Sequence, residues 1–421
     1  MDIESSYYYL GGDPLHTGQY VDLIQRLGEE GLPIVLVPRL RVSLSPFATL
    51  RAWSNRHFVG PNPIAALRDQ VPAGVHYVPV WSLFPGLSIP FLARILGPRG
   101  PRRRVLVHAR QLAMARLALA IKRWWPDLRV ISELEGDRPT EIGYERSRAI
   151  RPSPLETIGR RLQEWFFSRE QHRMIRHSDA VICVSHNLKQ LLTQRHHLTD
   201  DQARRLWVFP TSASRKEFYF DPAKRQRIRT ELAIGDRFLV IYSGNLRGPW
   251  QVPAKLVEAF VLIKRYRPSA QFLILTPEGD RRYIEGELER AGVSREDHRF
   301  HSCQHMDVVD YLCASDLGLL LRERHVMNEV ASPGKFAEYA LSGLPILTTE
   351  GIGDFSAQVR DSALACVLPD VSDLSTMTEK IRSFCLRDFT AEERMAFSRW
   401  SADRFATELF VPQLADLYRT L

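Results

Sequence analysis

Short apolar runs alternate with stretches of helical period along most of the chain. In the first half Tyr7 to Leu10, Pro33 to Val37, Val75 to Val80, Val105 to Val107, Val130 to Glu133 and Ala180 to Val184 read as strands. Gln19 to Glu30, Gln111 to Trp125 and Ile158 to His177 read as helices between them, and Ser185 caps a helix running through Leu192. The segment Trp207 to Ala213, a short strand running into proline and small polar residues, reads as a junction. The second half restarts the rhythm: strands at Phe238 to Ser243, Gln271 to Thr276 and Leu317 to Leu321, helices at Pro253 to Tyr266, Ile284 to Ala291 and Val308 to Ala314. Strand, helix, strand repetition predicts parallel sheets covered by helices, and two such halves predict two Rossmann-like domains facing a central cleft. The expected divisions are 1–210, 211–395 and a helical tail at 396–421.

Ser332 to Leu347, SPGKFAEYALSGLPIL, carries the most chemistry. Ser332 is a good N-cap, Pro333 suits the first helical position, and Gly343 with Pro345 ends the helix before the apolar run Leu344 to Leu347. Lys335 falls in the first turn, where the helix dipole disfavours a cation unless an external anion binds the free amides and the lysine together. Glu338 follows on the same face, placed to accept from ligand hydroxyls. A phosphate-binding lysine beside a hydroxyl-binding carboxylate points to a nucleotide sugar; the plainer alternative is an i, i+3 surface pair.

A parallel sheet binds ligand beyond the carboxyl ends of its strands, which singles out the residues that follow each run. Gly244, Asn245 and Arg247 follow the first strand of the second half and suit a close backbone approach, an amide contact and a bidentate grip on a diphosphate; otherwise they form a solvent-exposed turn. Thr276, with Pro277 and Glu278, stands after the next strand. Gly351, Gly353 and Asp354 follow the strand after the lysine-bearing helix, where Asp354 accepts a sugar hydroxyl or caps the next helix. In the first half, Gly18 opens the first helix after a loop containing Gly11 and Gly12. His108 and Arg110 follow Val105 to Val107, and Glu133, Glu135 and Asp137 cluster at another strand end, where like charges raise one another's pKa. His108 is either a buried structural histidine or a partner for the transferred sugar.

The S-P-x-K-x-x-E-Y run with G-L-P resembles the donor-site helix of bacterial retaining family-4-type glycosyltransferases of the GT-B fold. So do Tyr242 to Leu246 with Trp250-Gln251 upstream, and Gly351 to Asp354 downstream, in the same order. The resemblance implies an α/β GT-B protein that moves a sugar with retention from a nucleoside diphosphate to a glycan or lipid-linked acceptor, as in polysaccharide biosynthesis. It implies that Arg247 and Lys335 stabilise the leaving diphosphate and that His108 and Glu133 face the sugar. Donor contacts would come from Gly18, Gly244, Asn245, Thr276, Ser332, Pro333, Gly334, Glu338, Gly353 and Asp354. It also implies that the tail crosses back to the first domain. No cofactor is expected beyond the sugar nucleotide as co-substrate, and no metal, since a helix start and basic side chains meet the leaving charge. Two departures stand out. Trp250, Gln251 and Val252 fill the region where a second basic residue is common, and Val330 replaces the first glutamate of an acidic pair, leaving Glu329 or backbone amides to hold sugar hydroxyls. A nucleotide-sugar epimerase and a non-catalytic sugar-nucleotide binder are the rival expectations.

Composition narrows the setting. With 421 residues, 57 basic and 49 acidic, the chain is long enough for two cores and moderately basic, which favours anionic partners. No nucleic-acid-binding module accompanies that charge, so nucleic acid is not an expected partner. Five scattered cysteines without C-x-x-C spacing suggest a reducing, cytoplasmic setting. Neither a leader-like start nor a membrane-length apolar run is apparent. The apolar, proline-broken Phe84 to Leu96 precedes Arg99, Arg102, Arg103 and Arg104, with KRWW at Lys122 to Trp125. These suit either an anionic membrane surface at the inner face or a solvated basic loop.

Overall fold

The computed structural model describes residues 4–11, 18–37, 39–42, 78–81, 88–100, 103–148 and 153–421. The first domain contributes β1 (Glu4–Leu10), β2 (Ile34–Val37), β3 (Arg39–Val42), β4 (Val78–Trp81), β5 (Arg103–Arg110), β6 (Arg129–Leu134), β7 (Ala180–Cys183) and β8 (Leu206–Val208). The second contributes β9 (Leu239–Ser243), β10 (Gln271–Leu275), β11 (His298–His301), β12 (Leu317–Leu320), β13 (Ile346–Thr349) and β14 (Ala365–Leu368). Two parallel six-stranded sheets result, ordered β2-β1-β5-β6-β7-β8 and β11-β10-β9-β12-β13-β14. The strand expected at Val75 to Val80 is described only from Val78, and it joins β3 in a separate parallel pair rather than the main sheet.

The inner strands are buried on both faces, as parallel sheets with helices on each side require. In β9, Leu239 and Ile241 join one core while Val240 and Tyr242 join the other, because successive side chains point to opposite faces. The edge strand β11, HRFH, is half-buried throughout and lacks the apolar run that marks its neighbours.

Two chain crossings tie the domains. The junction and the C-terminal segment pass side by side at an Ala213–Ala406 bridge, where the Ala213 amide donates to Phe405 O at 3.4 Å and the Thr407 amide donates to Ala213 O at 2.9 Å. The helix Ala391–Phe405 packs through Phe397 and Phe405 into the second domain. The helix Thr407–Thr420 then lays Val411, Leu414, Ala415, Leu417 and Tyr418 against Tyr7, Leu106 and Ile131 of the first domain. The change of side thus falls at Ala406. No helix among the described residues is long and apolar enough to cross a membrane.

Candidate functional site

The second sheet runs outward in opposite directions from β9 and β12, so its connections diverge at that pair and leave a crevice beyond their carboxyl ends. Gly244 follows β9 at φ 126°, and a Cβ there would stand 2.8 Å from Lys335 Nζ, so glycine lets the lysine pass across the strand end. Lys335 Nζ donates to Tyr242 Oη at 2.9 Å and sits 4.4 Å from the centre of that ring; the Tyr242 hydroxyl donates to Asn245 O at 2.7 Å. Burial, reinforced by the nearby Arg322 guanidinium and opposed by Glu338, pushes the Lys335 ammonium down to about 7. A lysine held so near neutrality is poised to take a proton when an anion arrives.

The helix bearing this lysine spans Gly334–Leu341, with Pro333 at the N-cap position in an extended conformation. Ser332 is therefore not the cap. Its hydroxyl instead accepts from the Thr211 amide at 2.8 Å, pinning this loop to the interdomain junction. The first turn presents amides with no intrahelical acceptor beside Gly334 and Lys335. Glu338, one turn on, is buried and lies 3.0 Å from His305 Nε2; this contact raises the proton affinity of His305. Gly343, at φ 60°, ends the helix as expected, its backbone lying too close to Arg394 to admit a side chain.

Arg247 is exposed and turned to the buried Asp280, whose other oxygen accepts from the Leu246 amide at 3.0 Å. Thr276 is buried, and its hydroxyl has no partner among the described residues. Gly353 at φ 52° passes so close to Ala331 O that a Cβ would lie 1.9 Å away. Asp354 makes no side-chain bond to the helix Phe355–Val359 that it precedes. Its carboxylate instead accepts from the His186 and Asn187 amides, at 2.7 and 3.2 Å, at the start of a first-domain helix, His186–Arg195. The choice between a sugar contact and a local cap thus missed its structural partner, which only the docking of the domains supplies.

The same docking fixes the residue that stands in place of the first acid. Val330 is buried in the first-domain core cluster, and its carbonyl accepts from Ser185 Oγ at 2.7 Å. Glu329 Oε1 lies 3.7 Å from Arg324 Nε and borders a separate hollow with Asn187, Glu350 and Arg360.

Across the cleft, His108 and Glu133 meet at the ends of β5 and β6. His108 is buried, with Nε2 3.1 Å from Glu133 Oε2 and Nδ1 2.7 Å from the Tyr418 hydroxyl. The Tyr9 hydroxyl donates to Glu133 at 3.2 Å, and Arg110 lies between Glu133 and Glu135. Burial alone would raise the Glu133 carboxyl, yet Arg110, His108 and Tyr9 hold it down at about 2. The expected mutual raising by clustered acids is thus reversed by the arginine inserted between two of them. Asp137 is structural, capping the helix Arg138–Ser147 and pairing with Arg195 at 2.5 Å. Gly18 opens the helix Gly18–Glu29, whereas Gly12 lies outside the described residues.

A cavity of about 700 Å³ joins the two sides, reaching from His108, Arg110 and Glu133 past the junction Pro210 to Ser214 to His305 and Glu338. His305, Arg322 and Tyr418 carry no local sign of a site in the sequence, and Tyr242 is marked there only as the start of the Tyr242 to Leu246 run. His305 lies in a non-periodic turn, Tyr242 and Arg322 prolong apolar runs, and Tyr418 reaches the site only because the tail folds back.

No protein-family model matches the sequence, and no curated protein does. Solved structures match over nearly all of it. Anabaena HepE in complex with UDP and glucose aligns with a TM-score of 0.68 at 13% identity, covering 99% of this chain and 100% of that one. Sucrose-phosphate synthase from Thermosynechococcus elongatus gives 0.68 at 14%, covering 99% and 98%. WaaG, a glycosyltransferase involved in lipopolysaccharide biosynthesis, gives 0.58 at 14%, covering 99% of both chains. With the two six-stranded sheets and the cleft between them, these likenesses establish the fold: the chain is an α/β protein of GT-B architecture.

Proposed function

We propose that the chain is a glycosyltransferase that moves a sugar from a nucleoside diphosphate to a glycan or lipid-linked acceptor, without a metal and with retention, in the manner of the family-4 type its sequence resembles. The observation behind this is the juxtaposition of Lys335 and the helix start at Gly334 with Glu338 and His305, the last two opening into the interdomain cavity. Breaking a glycosyl phosphate bond moves negative charge onto the diphosphate. Lys335 and the first-turn amides oppose that charge, and their opposition is worth most where water is thin. Glu338 accepts from ribose hydroxyls, and His108, oriented by Glu133 and Tyr418, faces the sugar from the other domain. HepE with UDP and glucose and with UDP-glucose supports a uridine donor.

An exposed apolar stripe on the helix Pro154–His177 supports a lipid-linked acceptor and peripheral attachment to the inner face of a membrane. It consists of Leu155, Ile158, Leu162 and Trp165, all more than half exposed, with Arg169 stacked on Trp165. The earlier candidate segment fits this role less well. In its described part Leu92 and Leu96 are core residues, and Arg103 donates to Leu96 O, Pro98 O and the Tyr8 hydroxyl.

Thermal denaturation with a panel of nucleoside diphosphate sugars tests the donor, because a ligand bound only to the native state raises its stability by mass action. Stabilisation by a sugar nucleotide, followed by acceptor-dependent nucleotide release without EDTA sensitivity, is expected. No shift with any sugar nucleotide would refute the proposal, and an isomerised sugar without an acceptor would favour an epimerase.

A further inference from the structure

We propose that Arg322 is the second cation of the anion pocket, sharing the donor diphosphate with Lys335. This deepens the sugar-nucleotide reading above and rests on it.

Arg322 stands just past the end of β12, and Gly244 just past the end of β9, so the two flank the crevice where the second sheet's connections diverge. That crevice is where an open parallel sheet receives its ligand. The Arg322 side chain is only 5% exposed, yet it has little to hold. Nη1 reaches Asn328 Oδ1 at a long 3.4 Å, Nε has no partner, and no carboxylate among the described residues comes within ion-pair distance. A buried arginine with a structural job looks different in this same chain. Arg394, 3% exposed, donates to the carbonyls of Gly343, Ser315 and Leu312 at 2.9, 2.9 and 3.3 Å, spending its fork on helix ends.

Lys335, close enough to feel the Arg322 charge, also has no carboxylate partner among the described residues; its ammonium rests on the Tyr242 hydroxyl and ring. A buried guanidinium and a half-buried ammonium beside it, without a counter-ion between them, repel and are poorly solvated. Chains rarely keep such a pair unless a ligand supplies the missing charge. A diphosphate carries two negative charges and suits one point-like ammonium and one planar fork. Arg247, by contrast, is exposed and already paired with Asp280. The sequence pattern put the second phosphate contact there because it follows a strand end. The tertiary structure offers Arg322 from the neighbouring strand end.

The test is calorimetric titration of the full chain with UDP-glucose and with inorganic pyrophosphate. Parent, Arg322→Lys, Arg322→Met and Arg247→Met are compared at pH 6.5, with uridine as a phosphate-free control. Arg322→Met is expected to weaken pyrophosphate and UDP-glucose by at least about tenfold, the scale of a lost charged hydrogen bond, and Arg322→Lys to recover part of that. Uridine affinity should not move. Arg322→Gln, which keeps a donor toward Asn328 and removes only the charge, gives the same reading where the Met variant does not fold. A folded Met or Gln variant that binds pyrophosphate as the parent does overturns the proposal, as does a loss seen in Arg247→Met alone. A parent that binds neither probe overturns this proposal and the donor reading together; a parent that binds both, with Arg322 variants unaffected, overturns this one only.

Discussion

If Lys335 is as close to neutral in the free protein as its surroundings dictate, binding of a nucleotide sugar must draw a proton from solution. Its ammonium, pushed down to about 7, is about half protonated at pH 7. The charged groups facing it are Arg322, which lowers it, and Glu338, which raises it, with the Tyr242 hydroxyl as its contact. A diphosphate laid against the ammonium favours the charged form and returns the lysine toward its ordinary value near ~10.4. The complex then holds more protons than the free components, so affinity falls as pH rises. The diester diphosphate of a sugar nucleotide does not itself titrate in this range. Between pH 7 and pH 9 the donor dissociation constant should rise by about one and a half orders of magnitude, equivalent to roughly 2 kcal/mol. Calorimetry at pH 7 in two buffers of different ionisation enthalpy should report uptake of about half a proton, rising toward one at pH 8.5. Lys335→Arg should bind the donor with a flatter profile, because an arginine keeps its charge throughout. His305 also faces Glu338, which raises its proton affinity, so the profile is repeated in His305→Gln to remove a second titration from the same window. A parent profile that stays flat from pH 7 to pH 9 while donor binds, or an Arg variant as steep as the parent, would refute the account of Lys335.

Three further outcomes follow from particular contacts. Glu338→Ala should weaken donor binding by about 1.5 to 3 kcal/mol, the worth of a hydrogen bond to a charged group; unchanged affinity in a folded variant would remove Glu338 from the ribose. Glu133 has its carboxyl lowered from 4.5 to about 2, so its ionised form stabilises the fold fully above pH 4.5 and loses that contribution as pH falls toward 2. Glu133→Gln should therefore cost about 3 kcal/mol in denaturant unfolding at pH 7, and its deficit should shrink in acid; a deficit independent of pH would point to lost packing instead. Trp165→Ser combined with Leu162→Ser should reduce co-sedimentation with anionic vesicles and leave donor binding intact, and equal sedimentation of parent and variant would make that helix face irrelevant to membranes.

Local pattern determined the alternation of strands and helices, the parallel sheets, the doubling of the domain and the loop that presents Lys335 and Glu338. Those features depend on residues near in sequence: apolar runs that suit a two-sided sheet, a glycine that ends a helix, polar residues placed after a strand. The tertiary structure decided which of the marked residues meet. Asp354 caps a first-domain helix, Ser332 holds the junction, and Val330 is committed to an interdomain contact, because docking of the domains offered each a partner more than a hundred residues away in sequence. His108 and Glu133 stand on neighbouring strands, but Tyr418 reaches them only after the tail has crossed back. Arg322 prolongs a buried strand in the sequence and carries no local sign of chemistry. Its meaning comes from burial without a counter-ion beside Lys335, and that pairing exists only once β9 and β12 lie side by side.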